Sequence, residues 1–207
     1  MSNRYWIVVA VVAVGAALAG TYVARISGRA DLPVLQSGTV LPTPKVLRDF
    51  ALTDATGSPA TAAVLRGHPT LVFFGFTHCP DVCPTTLALL ADVRRQLAIP
   101  GLTVALISVD PERDTPEQLG KYLASFGGDL IGLTGTVPGI VDVMKNFGVA
   151  SSKVDLGGGN YTMDHSATIF ALDSGGRVVA VFTPPFRAAA LKTDLAALAP
   201  TLAEGRS

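Results

Sequence analysis

The only two cysteines of this 207-residue chain, Cys79 and Cys83, stand together in Phe74–Leu87, FGFTHCPDVCPTTL. Two thiols so spaced serve one of three chemistries: a structural bridge, a redox couple, or a pair of metal ligands. A bridge is the weakest reading, because closing so short a loop removes little entropy from the unfolded chain. If the segment from Pro80 onward is helical, positions i and i+4 place both sulfurs on one face, a turn apart, where they can share one ion. The same spacing puts the Cα atoms near the ~4.4–6.8 Å window in which a disulfide forms. Redox couple and ligand pair therefore both stand.

Two ligands make a thin cage, so a third donor is sought among His68, His78 and His165. His68, before Pro69, reads as an exposed loop residue. His78 adjoins Cys79, and neighbouring side chains usually point apart. His165 is better placed: it follows Gly157-Gly158-Gly159, read as a flexible loop, and immediately precedes an expected strand at Thr168–Leu172. Laid beside the cysteine-bearing strand, that strand sets His165 across from the thiols; the competing reading is a hydrogen-bonded structural histidine. Two thiolates and one imidazole suit copper better than structural zinc, since soft thiolates select Cu(I), which accepts two or three ligands where structural zinc takes four. Asp81 either adds negative charge beside a cationic site or is a solvated helix-start carboxylate. Asp110 either supports the ligands or forms a turn.

The elements that position these residues alternate along the chain. Lys45–Thr53 reads as a strand closed by a turn at Asp54–Gly57, and Thr70–Phe76 as a strand buried on both faces. Pro84 opens a helix in which Leu87, Leu90, Val93 and Leu97 repeat at helical spacing. A strand at Leu102–Val109, a helix capped by Thr115 from Pro116 to Phe126, a strand at Leu130–Leu133 and a helix at Val137–Phe147 follow. After the Thr168–Leu172 strand, a hairpin turn at Asp173–Gly176 leads into Arg177–Phe182, and Arg187–Leu202 closes as a helix. This is an α/β pattern: a central mixed sheet with helices on both faces. The cysteines then sit between the C-terminal edge of a strand and the first turn of a helix, the site geometry of the thioredoxin-like fold, where the helix dipole favours a thiolate.

Ahead of that domain, no residue from Tyr5 to Ala24 is charged. Twenty helical residues at ~1.5 Å each span about 30 Å, the thickness of a bilayer's hydrocarbon core. Trp6 and Tyr22 flank the run, where amphipathic rings prefer the interface. Residues 1–29 are therefore read as an N-terminal transmembrane anchor. The alternative is a signal sequence cleaved near Ala17-Leu18-Ala19, although the apolar region of such signals is only ~7–15 residues. Arg4 before the run and Arg25 and Arg29 after it leave the orientation open. Residues 30–44, rich in Pro, Gly, Ser and Thr, read as a tether, and 45–207 as the folded domain. Beyond the anchor, all sixteen acidic residues face thirteen of the sixteen basic ones, a net charge of about −3. No basic face offers itself to nucleic acid.

FGFTHCPDVCPTTL, then SVDPERDTPEQL at Ser108–Leu119 and DHS at Asp164–Ser166, closely resemble the motifs of the Sco/SenC family of membrane-tethered copper proteins involved in cytochrome c oxidase assembly. Their order and spacing match across roughly Phe50–Leu202. The resemblance implies a thioredoxin-like domain held by one N-terminal helix on the outer, periplasmic side of a bacterial cytoplasmic membrane. It implies one copper ion, Cu(I) or Cu(II), on Cys79, Cys83 and His165, and cysteines that can also form a disulfide. The implied partners are the binuclear copper A centre of cytochrome c oxidase subunit II and other copper chaperones. Met163 departs from the aliphatic residue expected there, and is either a gap-filling methionine or an auxiliary thioether ligand. The competing function is a thiol-disulfide oxidoreductase that reduces the cysteines of the oxidase copper site. Against it, thioredoxins carry a cis-proline facing the dithiol, where this chain has His165-Ser166-Ala167. A peroxidase relative fits less well, lacking an Arg and Thr around a single cysteine.

Overall fold

The computed structural model of the chain describes residues 3–26, 32–127 and 129–205, which fall into two units, 1–32 and 33–207. In the first unit, Asn3–Ile26 forms one helix, α1. Its described side chains, Trp6 and residues 11–21, are exposed, and the uncharged run Tyr5–Ala24 lies within it. Among the described residues, no helix is long and apolar enough to cross a membrane. Residues 1–2 and 27–29 of the expected anchor, 30–31 of the expected tether and 206–207 of the expected domain lie outside the described residues.

In the second unit an eight-stranded mixed sheet is built from β1 (Gly38–Val46), β2 (Leu52–Asp54), β3 (Pro59–Ala60), β4 (Thr70–Gly75), β5 (Thr103–Ser108), β6 (Ile131–Thr134), β9 (Ile169–Leu172) and β10 (Arg177–Phe182). Its order is β1-β10-β9-β4-β5-β6-β2-β3, parallel at β4–β5–β6 and antiparallel elsewhere. Two further strands, β7 (Ser151–Gly157) and β8 (Asn160–His165), form a separate hairpin. Every residue of β4 and β9 is buried, as the continuous apolar runs require of strands covered on both faces.

The covering helices are α2 (Val82–Gln96), α3 (Pro116–Ala124), α4 (Val137–Phe147) and α5 (Ala188–Ala203). Paired strand residues share a face, so Phe73, Leu106 and Gly132 point the same way. A Cβ on Gly132 would lie 2.6 Å from Leu123, so glycine is what lets α3 lie against β6. On the opposite face Phe74 meets Phe147 of α4 edge-on at 5.2 Å. Side chains set the ends of these helices. Thr115 accepts the Gln118 N–H ahead of α3, Thr136 accepts the Gly139 N–H ahead of α4, and Gly148, at φ 82°, ends α4 in the left-handed region. Helix α2 begins at Val82, two residues before the proline expected to open it, with Pro84 still in its first turn.

The expected tether and first strand are corrected. Residues 38–44, read as tether, belong to edge strand β1, and Lys45–Thr53 divides between the end of β1 and the start of β2. Pro42 and Pro44 hid the strand, but an edge strand tolerates prolines, and the register shifts between Val40 and Lys45. Just upstream, the buried Asp194 of α5 accepts the N–H of Gln36 at 2.7 Å, the N–H of Ser37 at 2.8 Å and the Ser37 hydroxyl at 2.7 Å. The start of the domain is thus pinned rather than loose. Asp194→Ala removes three bonds to a carboxylate, and urea denaturation of the full chain is expected to show a loss of about 2 kcal/mol.

Candidate metal centre

Strand β4 runs parallel to β5 but antiparallel to β9, with Phe73 opposite Ile169. The C-terminal end of β4, where the cysteine loop begins, therefore lies beside the N-terminal start of β9, four residues after His165. Topology alone brings the two motifs together. Cys83, in the first turn of α2, is fully buried, and its Sγ lies 3.6 Å from His165 Nε2. Cys79, half-buried in the loop, accepts the Cys83 N–H on its sulfur at 3.4 Å. Both cysteines are free thiols.

The tautomer of His165 follows from its other nitrogen. Nδ1 lies 3.3 Å from the Ser166 carbonyl oxygen, and a carbonyl only accepts, so Nδ1 carries the proton and Nε2 offers its lone pair toward Cys83. Phe73 and Phe76 meet the half-buried imidazole edge-on at 6.1 and 5.9 Å. Burial holds the His165 pKa below its ordinary value, against the opposing effects of the Ser166 carbonyl and Asp164. Burial likewise pushes the Cys83 thiol up, with Cys79 and Asp114 adding to the shift. Burial thus disfavours the charged form of both groups, and a bound cation is what would make the thiolate favourable.

Among the described residues, no three His, Cys, Asp or Glu side chains stand grouped as a ready metal cage. Cys83 and His165 are in contact; Cys79 joins them only through the Cys83 N–H. Of the other histidines, His78 faces the Thr77 hydroxyl at 3.0 Å and Asp114 at 3.8 Å, and His68 faces the Thr70 hydroxyl at 3.0 Å. Asp81 is exposed and makes no side-chain cap, although Thr85 donates to it at 3.3 Å. That is a solvated helix-start carboxylate. Asp110 is buried but touches neither thiol nor imidazole; it accepts from Arg113 and from the Tyr161 hydroxyl. Met163 packs against the core and lines a cavity with Met144, which is the gap-filling role.

The glycine loop before His165 is also corrected. Gly158 and Gly159, both at positive φ, form the two-residue turn of the β7–β8 hairpin, and His165 is its last residue. Sequence reasoning also passed over Asp114. Fully buried, it accepts from the Thr77 N–H at 3.1 Å and from the hydroxyls of Thr77 and Ser108 at 2.6 Å each. It ties the loop before Cys79 to the end of β5. Its place four residues after Asp110 in SVDPERD was the available signal.

The sheet, the strand–loop–helix cysteine segment and the opposed histidine define a thioredoxin-like domain with a thiol–imidazole site. A family model described as SCO1/SenC matches residues 39–200. The "SCO2-like protein RP587" of Rickettsia prowazekii is 38% identical over 142 residues, 67% of this chain and 69% of that protein. Bradyrhizobium japonicum ScoI, solved with copper bound, is 41% identical over 76% of this chain and 99% of that one, with a TM-score of 0.64. Arabidopsis thaliana ScoI, also solved with copper bound, is 32% identical over 73% and 96%, with a TM-score of 0.69. The chain belongs to the SCO1/SenC family.

Because Asp114 satisfies three donors in a buried place, Asp114→Ala leaves them unpaired and is expected to cost about 2–4 kcal/mol by urea denaturation. Asp81→Asn, on an exposed carboxylate, is expected to change stability by no more than about 0.5 kcal/mol.

Proposed function

We propose that this protein binds one copper ion through Cys79, Cys83 and His165 and passes it to the binuclear copper A centre of cytochrome c oxidase subunit II during assembly. The observation that carries the reading is His165 Nε2 facing Cys83 Sγ at 3.6 Å beside the rings of Phe73 and Phe76. Both are donors that a soft cation prefers. Cys79 sits one helical turn away, and rotation about its own Cα–Cβ bond turns its sulfur from the Cys83 N–H toward a shared ion. Copper bound in the similar Bradyrhizobium and Arabidopsis proteins supports the choice of metal.

Loading a cation displaces the thiol protons, and transfer reverses this as a recipient's ligands replace these one by one. His165 is the natural first to leave, because it stands on the hairpin while both cysteines belong to the α2 segment. Helix α1, with its uncharged run Tyr5–Ala24, would hold the domain at the outer face of a bacterial cytoplasmic membrane, single-pass, with residues 33–207 in the periplasm. Other copper chaperones would supply the ion.

A second reading is favoured by one observation: both cysteines are free, and Cys79 is half-exposed in the loop ahead of α2. There the dithiol would give two electrons and two protons to a disulfide on the oxidase copper site and become a disulfide itself. Burial of Cys83, which holds that thiol neutral, works against the resolving step.

Anaerobic titration of the 207-residue chain in detergent with Cu(I) decides between them. We expect about one tightly held copper. We also expect an affinity at least about tenfold weaker in His165→Ala, and tight binding lost in Cys83→Ser. A His165→Ala variant that binds copper as the parent does, while dithiol turnover persists, would overturn the copper reading in favour of the second.

A further inference from the structure

His165 is carried by a hairpin that the rest of the fold grips at few points. Among the described strands, β7 and β8 pair only with each other, and none of their residues is buried. A cavity of about 190 Å3 is lined by Ile140 and Met144 of α4 on one side and Ser151 and Met163 of the hairpin on the other. The packing of Met163 against the core, with this cavity beside it, does not by itself fix the hairpin's position.

A polar cluster at Tyr161 does. The Tyr161 hydroxyl donates to Asp110 Oδ1 at 2.9 Å, and Arg113 Nη1 donates to the Tyr161 carbonyl at 3.0 Å. The Arg113 guanidinium stacks 3.7 Å from the Tyr161 ring centre, and its Nε donates to the other Asp110 oxygen. Lys153 of β7 lies 3.8 Å from the same ring centre and pairs with Glu112 at 2.6 Å. Asp110 is itself rooted, being buried with its N–H on the Ser108 hydroxyl at 3.0 Å. Burial and the Asp110 carboxylate push the Tyr161 hydroxyl up to about 12, so it remains a donor at neutral pH. Along β8, alternation puts Tyr161, Met163 and His165 on one face. The clamp thus holds the strand four residues from the imidazole, on the imidazole's own side.

We propose that Asp110, Arg113 and Tyr161 are positioning residues for His165: they hold the hairpin closed so that Nε2 stays against Cys83, and their grip sets how fast copper leaves. This rests on the copper reading above. The clamp bonds are charge-assisted, the kind whose loss costs most. Its loosening withdraws one ligand of three without disturbing the sheet or the thiols.

The test uses the 207-residue chain in detergent, loaded with Cu(I), as parent, Tyr161→Phe, His165→Ala and the double variant. Copper transfer to a chelator and amide hydrogen exchange of the apo protein are both followed. Tyr161→Phe keeps the ring stacking and removes only the hydroxyl. It is expected to speed copper release about tenfold and to raise exchange across residues 151–165, leaving that of β4 and β5 unchanged. In the His165→Ala background the same change should leave copper release unaltered, since its effect runs through the imidazole. Release and hairpin exchange at the parent's rates in Tyr161→Phe overturn the proposal. So does an effect on copper of equal size when His165 is absent. Copper handling by His165→Ala identical to the parent's would instead sink the ligand assignment and this proposal with it, whereas failure of Tyr161→Phe alone leaves the assignment standing.

Discussion

Everything about the site depends on β4 being buried on both faces between a parallel and an antiparallel neighbour. Six consecutive buried residues cannot end in solvent without a turn that satisfies their backbone, and the turn that follows is the cysteine loop. Pairing with β5 places the Ser108–Asp114 loop beside it, and pairing with β9 brings His165 there from the other direction. Three segments distant in sequence thus meet at one sheet edge.

The chemistry follows from how dry that edge is. A thiol at the start of a helix is ordinarily eased toward thiolate by the helix dipole. Here burial wins, because Cys83 has no exposed surface and phenylalanines rather than cations surround it. The Cys83 thiol is thereby kept neutral, while Asp114 is occupied by its bonds from Thr77 and Ser108. Such a division of labour separates what fixes the thiols, a buried hydrogen-bonded loop, from what presents the imidazole, an exposed hairpin.

Much of this was legible in the sequence. The apolar runs at Thr70–Phe76 and Leu102–Val109, the capped start at Thr115 and the helix expected at Val137–Phe147 matched the central strands and two helices nearly to the residue, because continuous burial and capping are local signals. His165 opposite the thiols was readable from motif spacing once β9 was placed beside β4. Two parts were not. The hairpin Ser151–His165 has no buried face, so it shows no clear apolar alternation, and three glycines at its turn read as slack. The contacts of Asp110 and Arg113 with Tyr161 cross about fifty residues of sequence and depend on where that hairpin lies, which no local pattern records. Strand β1 was missed for a related reason: its prolines are tolerated only because it lies at the edge of the sheet.

The central claim is that two sulfurs and one imidazole nitrogen, from three points around the end of β4, close on a single copper ion. X-ray absorption at the copper edge of the loaded 207-residue chain tests it most directly, since it counts the donor types. Two sulfur neighbours with one imidazole nitrogen, recognised by the outer-shell scattering of its ring, is the predicted result. Coordination by sulfur alone, or by oxygen and nitrogen without sulfur, would contradict it.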